Sequence, residues 1–433
     1  RLGYPVTVFE AAPLPGGLMR YGIPEYRLPE PVLDNEIELI RESGVELKTN
    51  AAVKQMEDLF SQGYKAVFAA TGAWMSLKLN IPGEDAAGVD YAIEYLRRMK
   101  SGDQVDLGQR VVVIGGGSVA VDAARTALRL GAKEVHMVCL ESLDLQSMDR
   151  MLATDHEIEE AKEEGVTIHP CLGVKEIFSE EGKIFGIGTM ACVSVRDEDG
   201  TFNPRYDECE LPVTFKADRI IVAVGQTIDP STLPSGIALS DQGTLSVNPV
   251  TLQSDDERVF AGGDAATGPL DIISAITAGK EGAVSIDRYL RGEDLEKERH
   301  VPAKSIRERV EMKSLPSAVL NVKKRERSSE VDLGYDRDTA FDQAGRCLQC
   351  GTLVPSVVIK RLAPKKQIIP WDATRALELW QKRQPADGEP LPDVFDDMTE
   401  ITRAPDPDMM GRNKLVLKPK NSEEALFYTT DDE

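Results

Sequence analysis

Between residues 110 and 130 the chain passes from an apolar run, Arg110-Val111-Val112-Val113-Ile114, through Gly115-Gly116-Gly117-Ser118-Val119-Ala120 into a helical pattern over residues 121–130. A strand, a glycine-rich turn and a helix in that order leave few folds open. Gly115, Gly117 and Ala120 fall at the three positions of G-x-G-x-x-G/A. The first permits a sharp turn, the second lets backbone approach a pyrophosphate, and the third lets helix and strand pack closely, with the helix N-terminus offering amide donors. A second apolar run, Val135-His136-Met137-Val138-Cys139-Leu140-Glu141, ends in an acid. In a dinucleotide-binding unit that carboxylate accepts hydrogen bonds from ribose hydroxyls.

The same grammar is written once before. Pro5-Val6-Thr7-Val8-Phe9-Glu10 is an apolar strand ending in an acid, and Val67-Phe68-Ala69-Ala70-Thr71-Gly72 is echoed by Ile220-Ile221-Val222-Ala223-Val224-Gly225, each a buried strand running into glycine. Two nucleotide-binding halves are expected, and bringing two dinucleotides together serves redox chemistry. A strand and glycine turn precede the ribose acid by roughly 20 residues, whereas only nine precede Glu10 and the first residue is Arg1. The chain is therefore expected to be a fragment lacking the opening of its first half.

Among 433 residues, 41% are hydrophobic and 29% charged, enough to bury more than one core, and the length points to two or three domains. The net charge of −22 disfavours nucleic acid and anionic membranes, which need clustered Lys and Arg. No apolar run approaches the ~18 residues of a spanning helix, and the expected location is cytoplasmic. Cys139, Cys171, Cys192 and Cys209 are scattered at no ligand-like spacing and are expected to be reduced packing residues. The histidines, His136, His156, His169 and His300, form no ligand set.

Along the chain, residues 30–43 read as a helix, and 46–49 and 66–70 as strands. Residues 16–29 are too rich in Gly and Pro for a helix; they read as a long loop shaped around a ligand or, less specifically, as a surface connection. A connecting helix is predicted over 90–100, an acidic helix over 155–164 and a strand over 166–169. An antiparallel hairpin insert with turns at Gly182-Lys183 and 197–200 follows. From Gly243 the chain returns to the first half through strands at 244–247 and 259–261 and a helix over 272–290. The expected division is 1–80 and 227–292 for the first domain, 81–107 for a connector, 108–226 for the second domain, and 293–433 for a charged, proline-rich extension lying on something else, with a Trp-containing helix at 372–382.

Val8-Phe9-Glu10, the loop Gly16-Gly17-Leu18-Met19-Arg20-Tyr21-Gly22-Ile23-Pro24, Ala70-Thr71-Gly72, Gly115 to Ala120 with Asp122, Ala223-Val224-Gly225-Gln226 and Ala261-Gly262-Gly263-Asp264 together resemble the flavoprotein family of the glutamate synthase small subunit. The resemblance covers residues 1–292. It implies an α/β protein of two Rossmann-like, disulfide-reductase-like domains, with the nicotinamide domain inserted in the FAD domain and an irregular C-terminal extension. By the same resemblance Glu10 binds the FAD ribose, Gly17, Leu18, Gly22 and Ile23 line the flavin, and Thr71 and Gly72 lie near the FAD phosphates. Gly263 and Asp264 hold ribityl or pyrophosphate oxygens, and the helix beginning near Ile273 points its positive end at the flavin. Gly115, Gly117, Ala120, Glu141 and Gly225 take the nicotinamide cofactor. NADPH-using relatives carry paired arginines where this chain has Leu140-Glu141; a carboxylate accepts from a free 2'-hydroxyl and repels a 2'-phosphate, so NAD(H) is favoured over NADP(H), with Arg150 able to swing in.

Arg346-Cys347-Leu348-Gln349-Cys350-Gly351 is the single Cys-x-x-Cys. It fits part of the ligand set of an iron-sulfur cluster, whose other ligands then lie outside this chain, or an unliganded structural pair, or a redox dithiol. In the resembling family such sequences accompany [4Fe-4S] clusters. The resulting expectation is an FAD-dependent oxidoreductase passing electrons between NAD(H) and a redox partner protein or iron-sulfur module. A thiol-disulfide reductase working through Cys347 and Cys350 and a catalytically silent assembly subunit are the alternatives.

Overall fold

In the computed structural model, residues 2–103, 105–197, 199–207, 212–229, 238–240, 243–297, 299 and 317–344 are described, together with the backbone of 398–405, 413–419 and 426–430. A first unit takes in residues 1–305 and 320–332; a second takes in 306–319 and 333–433.

The first unit opens with β1 (Thr7–Phe9), the short helix α1 (Gly17–Tyr21), α2 (Glu30–Glu42), β2 (Glu46–Lys48), α3 (Met56–Ser61), β3 (Val67–Ala69) and β4 (Met75–Ser76). Helix α1 corrects the reading of 16–29 as helix-free. Its single turn survives its glycines because Tyr21 and Arg20 anchor it: the Tyr21 hydroxyl accepts from the Leu14 amide at 3.1 Å, and Arg20, 4% exposed, pairs with Asp34. Helix α3 was not foreseen either; Met56 and Leu59 on its inner face are buried.

Next come β5 (Val89–Tyr91), α4 (Ala92–Lys100), β6 (Arg110–Ile114), α5 (Ser118–Arg129), β7 (Glu134–Val138), α6 (Asp155–Glu164) and β8 (Thr167–His169). The stretch read as a helix from 90 thus begins as a strand, because β5 pairs with residues far along the chain, Ile220 to Val222. Strand β7 stops at Val138, short of Glu141. An antiparallel layer follows: β9 (Leu172–Glu180), β10 (Lys183–Arg196), β11 (Phe202–Asp207) and β12 (Thr214–Lys216), with β9, β11 and β12 all paired to β10. Then come β13 (Arg219–Val222), β14 (Gln226–Thr227), β15 (Val259–Ala261), α7 (Asp264–Thr267) and α8 (Ile272–Arg291). The strand expected over 244–247 is a single bridge, Leu239 to Leu245, with Leu245 turned into the core.

Strands β5, β13, β6, β7 and β8 form one parallel sheet in that order. Alternation along β6 assigns its faces. Val111 and Val113 join Ala120, Ala123, Ala124 and Ala127 of α5, while Val112 and Ile114 join Ile177, Ile184 and Ile187 of the antiparallel layer. The many alanines let α5 lie close on the sheet. Helix α6 is bounded by local chemistry at both ends: Thr154 and Glu157 make a reciprocal capping box, and Gly165 closes it in the left-handed conformation.

The other half has two separate parallel pairs, β1 with β2 and β3 with β15, over a core of Met56, Leu59, Ala69, Val259 and Ala261. Helix α8 crosses β3 so closely that a Cβ on Gly282 would lie 2.1 Å from the Phe68 ring. The two halves are joined by β4 and β14, which pair antiparallel as Ser76 with Gln226 and Met75 with Thr227.

The expected extension is not one piece. Residues 320–332, with a 3-10 turn at Val322–Lys324, belong to the first unit. The second unit carries α9 (Arg337–Ala344) and an antiparallel sheet of β16 (Met398–Pro405), β17 (Asn413–Pro419) and β18 (Leu426–Thr430), three strands not anticipated from the sequence. The helix expected at 372–382 lies outside the described residues.

Candidate functional site

At the end of β6 the chain turns at Gly115 with φ 137°. A Cβ there would stand 2.2 Å from the Ala223 carbonyl oxygen, so the turn demands glycine. Gly117 caps α5 without a side-chain partner, and nothing lies within 4 Å of where its Cβ would be. Ala120 is fully buried against the sheet. Glu141 folds back over the turn, its Oε2 only 2.6 Å from the place of a Cβ on Gly116. Burial raises its pKa, while its own backbone amide and the nearby Arg196 pull the other way. Uncapped amides facing open space beside a carboxylate suit a phosphate and ribose hydroxyls. Arg150, which the sequence left free to swing in, is paired with Asp155 at 3.1 Å. Gly225, with φ 122°, accepts from the Leu77 amide at the start of the passage between halves.

Across that passage, the other predicted residues fall at the C-terminal ends of β1, β3 and β15. Glu10 follows β1 directly and its Oε1 accepts from the Ala12 amide at 2.7 Å. Gly17 and Leu18 lie in α1, and the Leu18 carbonyl accepts from the amides of Gly22 and Ile23. Tyr21 meets the Trp74 ring at 6.2 Å, and the Trp74 indole N–H donates to the Thr71 carbonyl at 3.0 Å. This places α1 beside Thr71 and Gly72. The Thr71 hydroxyl is buried and finds no hydrogen-bond partner among the described residues. The Gly262 amide donates to the Ala69 carbonyl, setting Gly263 and Asp264 next to the end of β3. Asp264 accepts from the Leu270 amide at 3.1 Å, and burial, with Asp271 adding, raises its pKa. Asp271 caps α8 through the Ser274 amide, leaving Ile273 at the helix start 70% exposed.

Sequence reasoning missed the residues that tie the two halves together. Arg27 forms ion pairs with Asp122 at 2.8 Å and Glu157 at 2.6 Å. Burial lifts the Asp122 carboxyl to about 6 against the pull of Arg27. Two guanidiniums lie over the Tyr26 ring, Arg125 at 4.8 Å and Arg129 at 4.0 Å from its centroid. Lys100 donates to the Ile23 carbonyl at 3.0 Å, and burial lowers its pKa. Loop 24–29 shows these residues in sequence, but their partners on α5 and α6 are about a hundred residues away, at separations such as 95 for Arg27 and Asp122.

Cys139 and Cys192 are buried free thiols as expected, and burial raises both pKa values, Cys192 to about 11. Cys171 corrects the packing reading: it is exposed, at φ 55°. His136 and His169, which show no ligand spacing in the sequence, meet ring to ring with Nδ1 and Nε2 3.0 Å apart beside Phe215. No group of three metal-ligating side chains occurs among the described residues. Cys209, Cys347 and Cys350 lie outside those residues. No described helix is long and apolar enough to cross a membrane.

Residues 4–282 match the pyridine nucleotide-disulphide oxidoreductase family. The chain belongs to that family. Among curated members it is 38% identical over 297 residues to the NADP(+)-dependent formate dehydrogenase subunit beta of Moorella thermoacetica, covering 67% of this chain and 41% of the relative. It is 30% identical over 405 residues to the NADPH-Fe(3+) oxidoreductase subunit beta of Geobacter sulfurreducens, covering 80% and 58%. The glutamate synthase [NADPH] small chain of Bacillus subtilis is 31% identical over 319 residues, covering 67% and 64%, which bears out the family drawn from the motifs. The chain thus spans about two fifths to three fifths of the first two relatives' length. FprA of Mycobacterium tuberculosis in complex with NADPH shares the fold of this oxidoreductase family member, with a TM-score of 0.57 at 20% identity over 66% of this chain and 78% of that one.

Proposed function

We propose that this chain is the flavin-and-nicotinamide part of a larger electron-transfer enzyme, passing electrons between a nicotinamide dinucleotide and a protein or iron-sulfur acceptor. The observation that carries it is a pair of half-sites, one at the strand ends of each half. One half presents the Gly115 turn, the open start of α5 and Glu141; the other presents the orphaned Thr71 hydroxyl beside Gly72, Gly263 and Asp264. A buried hydroxyl without a partner is costly unless a ligand satisfies it, and the residues present fit FAD. Bound FAD supplies the exchange between two-electron transfer with a nicotinamide and one-electron transfer with an acceptor. The chain's own residues hold the ligands and exclude water: Glu10 and Glu141 take ribose hydroxyls, Gly115, Gly117 and Ala120 admit a pyrophosphate, and α1 with Gly17, Leu18, Gly22 and Ile23 covers the flavin. The start of α8 near Ile273 adds positive dipole density. Cys347 and Cys350 serve an iron-sulfur cluster whose remaining ligands come from elsewhere.

The preferred nicotinamide is NAD(H), because Glu141 faces the turn where a 2'-phosphate would otherwise lie. All three curated relatives named above carry NADP(+) or NADPH in their names, whereas the NAD-dependent dihydropyrimidine dehydrogenase subunit PreT of Escherichia coli, 32% identical over 294 residues, carries NAD. Arg196, the cation acting on Glu141, is the residue that would favour the phosphate. The full protein, loaded with FAD and mixed anaerobically with NADH or NADPH, tests both levels. Bleaching of the flavin band by NADH, with a shift toward NADPH in Glu141→Gln, supports the reading. Faster bleaching by NADPH in the unaltered protein overturns the cofactor preference, and failure to bind FAD overturns the function.

A further inference from the structure

Residues 320–332 come after the family match ends, yet they pack within the first unit while the chain on both sides of them belongs to the second. Their grip is specific. Arg325, its side chain 3% exposed, donates to Glu164 Oε1 and Glu163 Oε2, both at 3.0 Å, so it sits at the C-terminal end of α6. Arg129 of α5 reaches out to the Glu326 carbonyl at 2.7 Å. Arg327 donates to the Met99 carbonyl at the end of α4. Val331 is 3% exposed, and its amide is directed at the Tyr26 carbonyl.

The segment therefore touches α4, the α5–α6 pair and loop 24–29 at once. That loop is itself fastened to α5 and α6 by Arg27, Asp122 and Glu157, and by the Tyr26 ring under Arg125 and Arg129. The two halves are also joined through the paired passages β4 and β14. Two short strands paired only to each other allow one half to turn against the other; hinges are a few such residues that absorb backbone rotation. A second attachment, made at loop 24–29, removes that freedom.

We propose that residues 320–332 are a clasp that holds the nicotinamide half in one orientation against loop 24–29, with Arg325 and Arg327 as positioning residues. The inference rests on the proposed function for the name of that half, but its decisive measurement does not. Hydrogen-deuterium exchange on the full chain without added cofactor compares the unaltered protein with Arg325→Gln, Arg327→Ala and the double variant. Exchange of amides in 24–29 and in α5 and α6 rises at least tenfold in the double variant, while amides of β15 and α8 keep their rates. Arg327→Ala breaks no ion pair among the described residues, so it keeps the test readable should loss of Arg325 prevent folding, and it raises exchange only in 24–29 and at the end of α4. Arg325→Lys, keeping charge without the two-pronged reach, restores part of the protection. With FAD and NADH present, the limiting rate of flavin reduction falls in the double variant with an unchanged half-saturating NADH concentration. Unchanged exchange in 24–29 overturns the clasp, and so does a rise shared equally by α8, which marks general destabilisation. A protein that binds no flavin yet shows the local rise retains the clasp and refutes only the function.

Discussion

Neutralising Glu164 tests the energetics of the site's supporting charges. This carboxylate accepts from Arg125 at 2.8 Å, from two nitrogens of Arg129 at 2.7 and 3.1 Å, and from Arg325 at 3.0 Å. Burial by itself would raise its pKa, but the hydrogen bonds from Arg129 and Arg125 outweigh burial and hold it at about 2. Against an ordinary 4.5 that difference amounts to about 3 kcal/mol at 1.36 kcal/mol per pH unit. An independent scale agrees, since breaking a buried ion pair from one side costs about 3–5 kcal/mol. Glu164→Gln keeps the shape and some acceptor capacity, so the expected loss is about 3 kcal/mol, measured as a lower urea midpoint at unchanged slope in far-ultraviolet circular dichroism. The sign with pH follows from a folded-state pKa below the unfolded one. The contribution is complete above about 4.5 and disappears as pH falls through about 2. The gap between the two proteins therefore closes across that window. A loss below about 1 kcal/mol, typical of a surface pair, or a gap that stays constant down to about pH 2, would refute the reasoning.

Gly115→Ala puts a methyl 2.2 Å from the Ala223 carbonyl at a φ of 137°; the turn must open, and soluble yield and melting temperature should both drop, with more than about 4 kcal/mol lost. Thr71→Val removes a hydroxyl that has no partner among the described residues, so cofactor-free stability holds or rises by about 1 kcal/mol while flavin retention on gel filtration falls; equal retention would detach Thr71 from the proposed FAD site. Among the described cysteines, a maleimide followed by peptide mass spectrometry should label exposed Cys171 well before buried Cys139 and Cys192.

Parts of the fold were legible where the sequence marks its own boundaries. The segment from β6 to β8 was read nearly as it is because Gly115 breaks the strand, an alanine-rich face follows, and Gly165 ends α6. The residues proposed for FAD could be named only through a family pattern, since single glycines and Thr71 have no periodicity to announce them. What escaped depends on partners distant in sequence. Helix α1 contradicts its local Gly and Pro content and is held by Tyr21 and by Arg20 with Asp34. Strand β5 exists because Val89 to Tyr91 pair with Ile220 to Val222. Arg325 stands in a charged run that reads as an extension lying on something else, and nothing nearby signals which surface it meets, a carboxylate 161 residues earlier.

The placement of residues 320–332 bears on how this protein can be cut. Gly292, where α8 ends in a left-handed turn, looks like a natural stopping point, and the family match ends before it at 282. A gene trimmed there would express a polypeptide lacking Arg325 and Val331, leaving Glu163 and Glu164 without one of their cations and uncovering the backbone around Tyr26. A fragment that keeps the whole first unit extends to Asp332, where that unit ends.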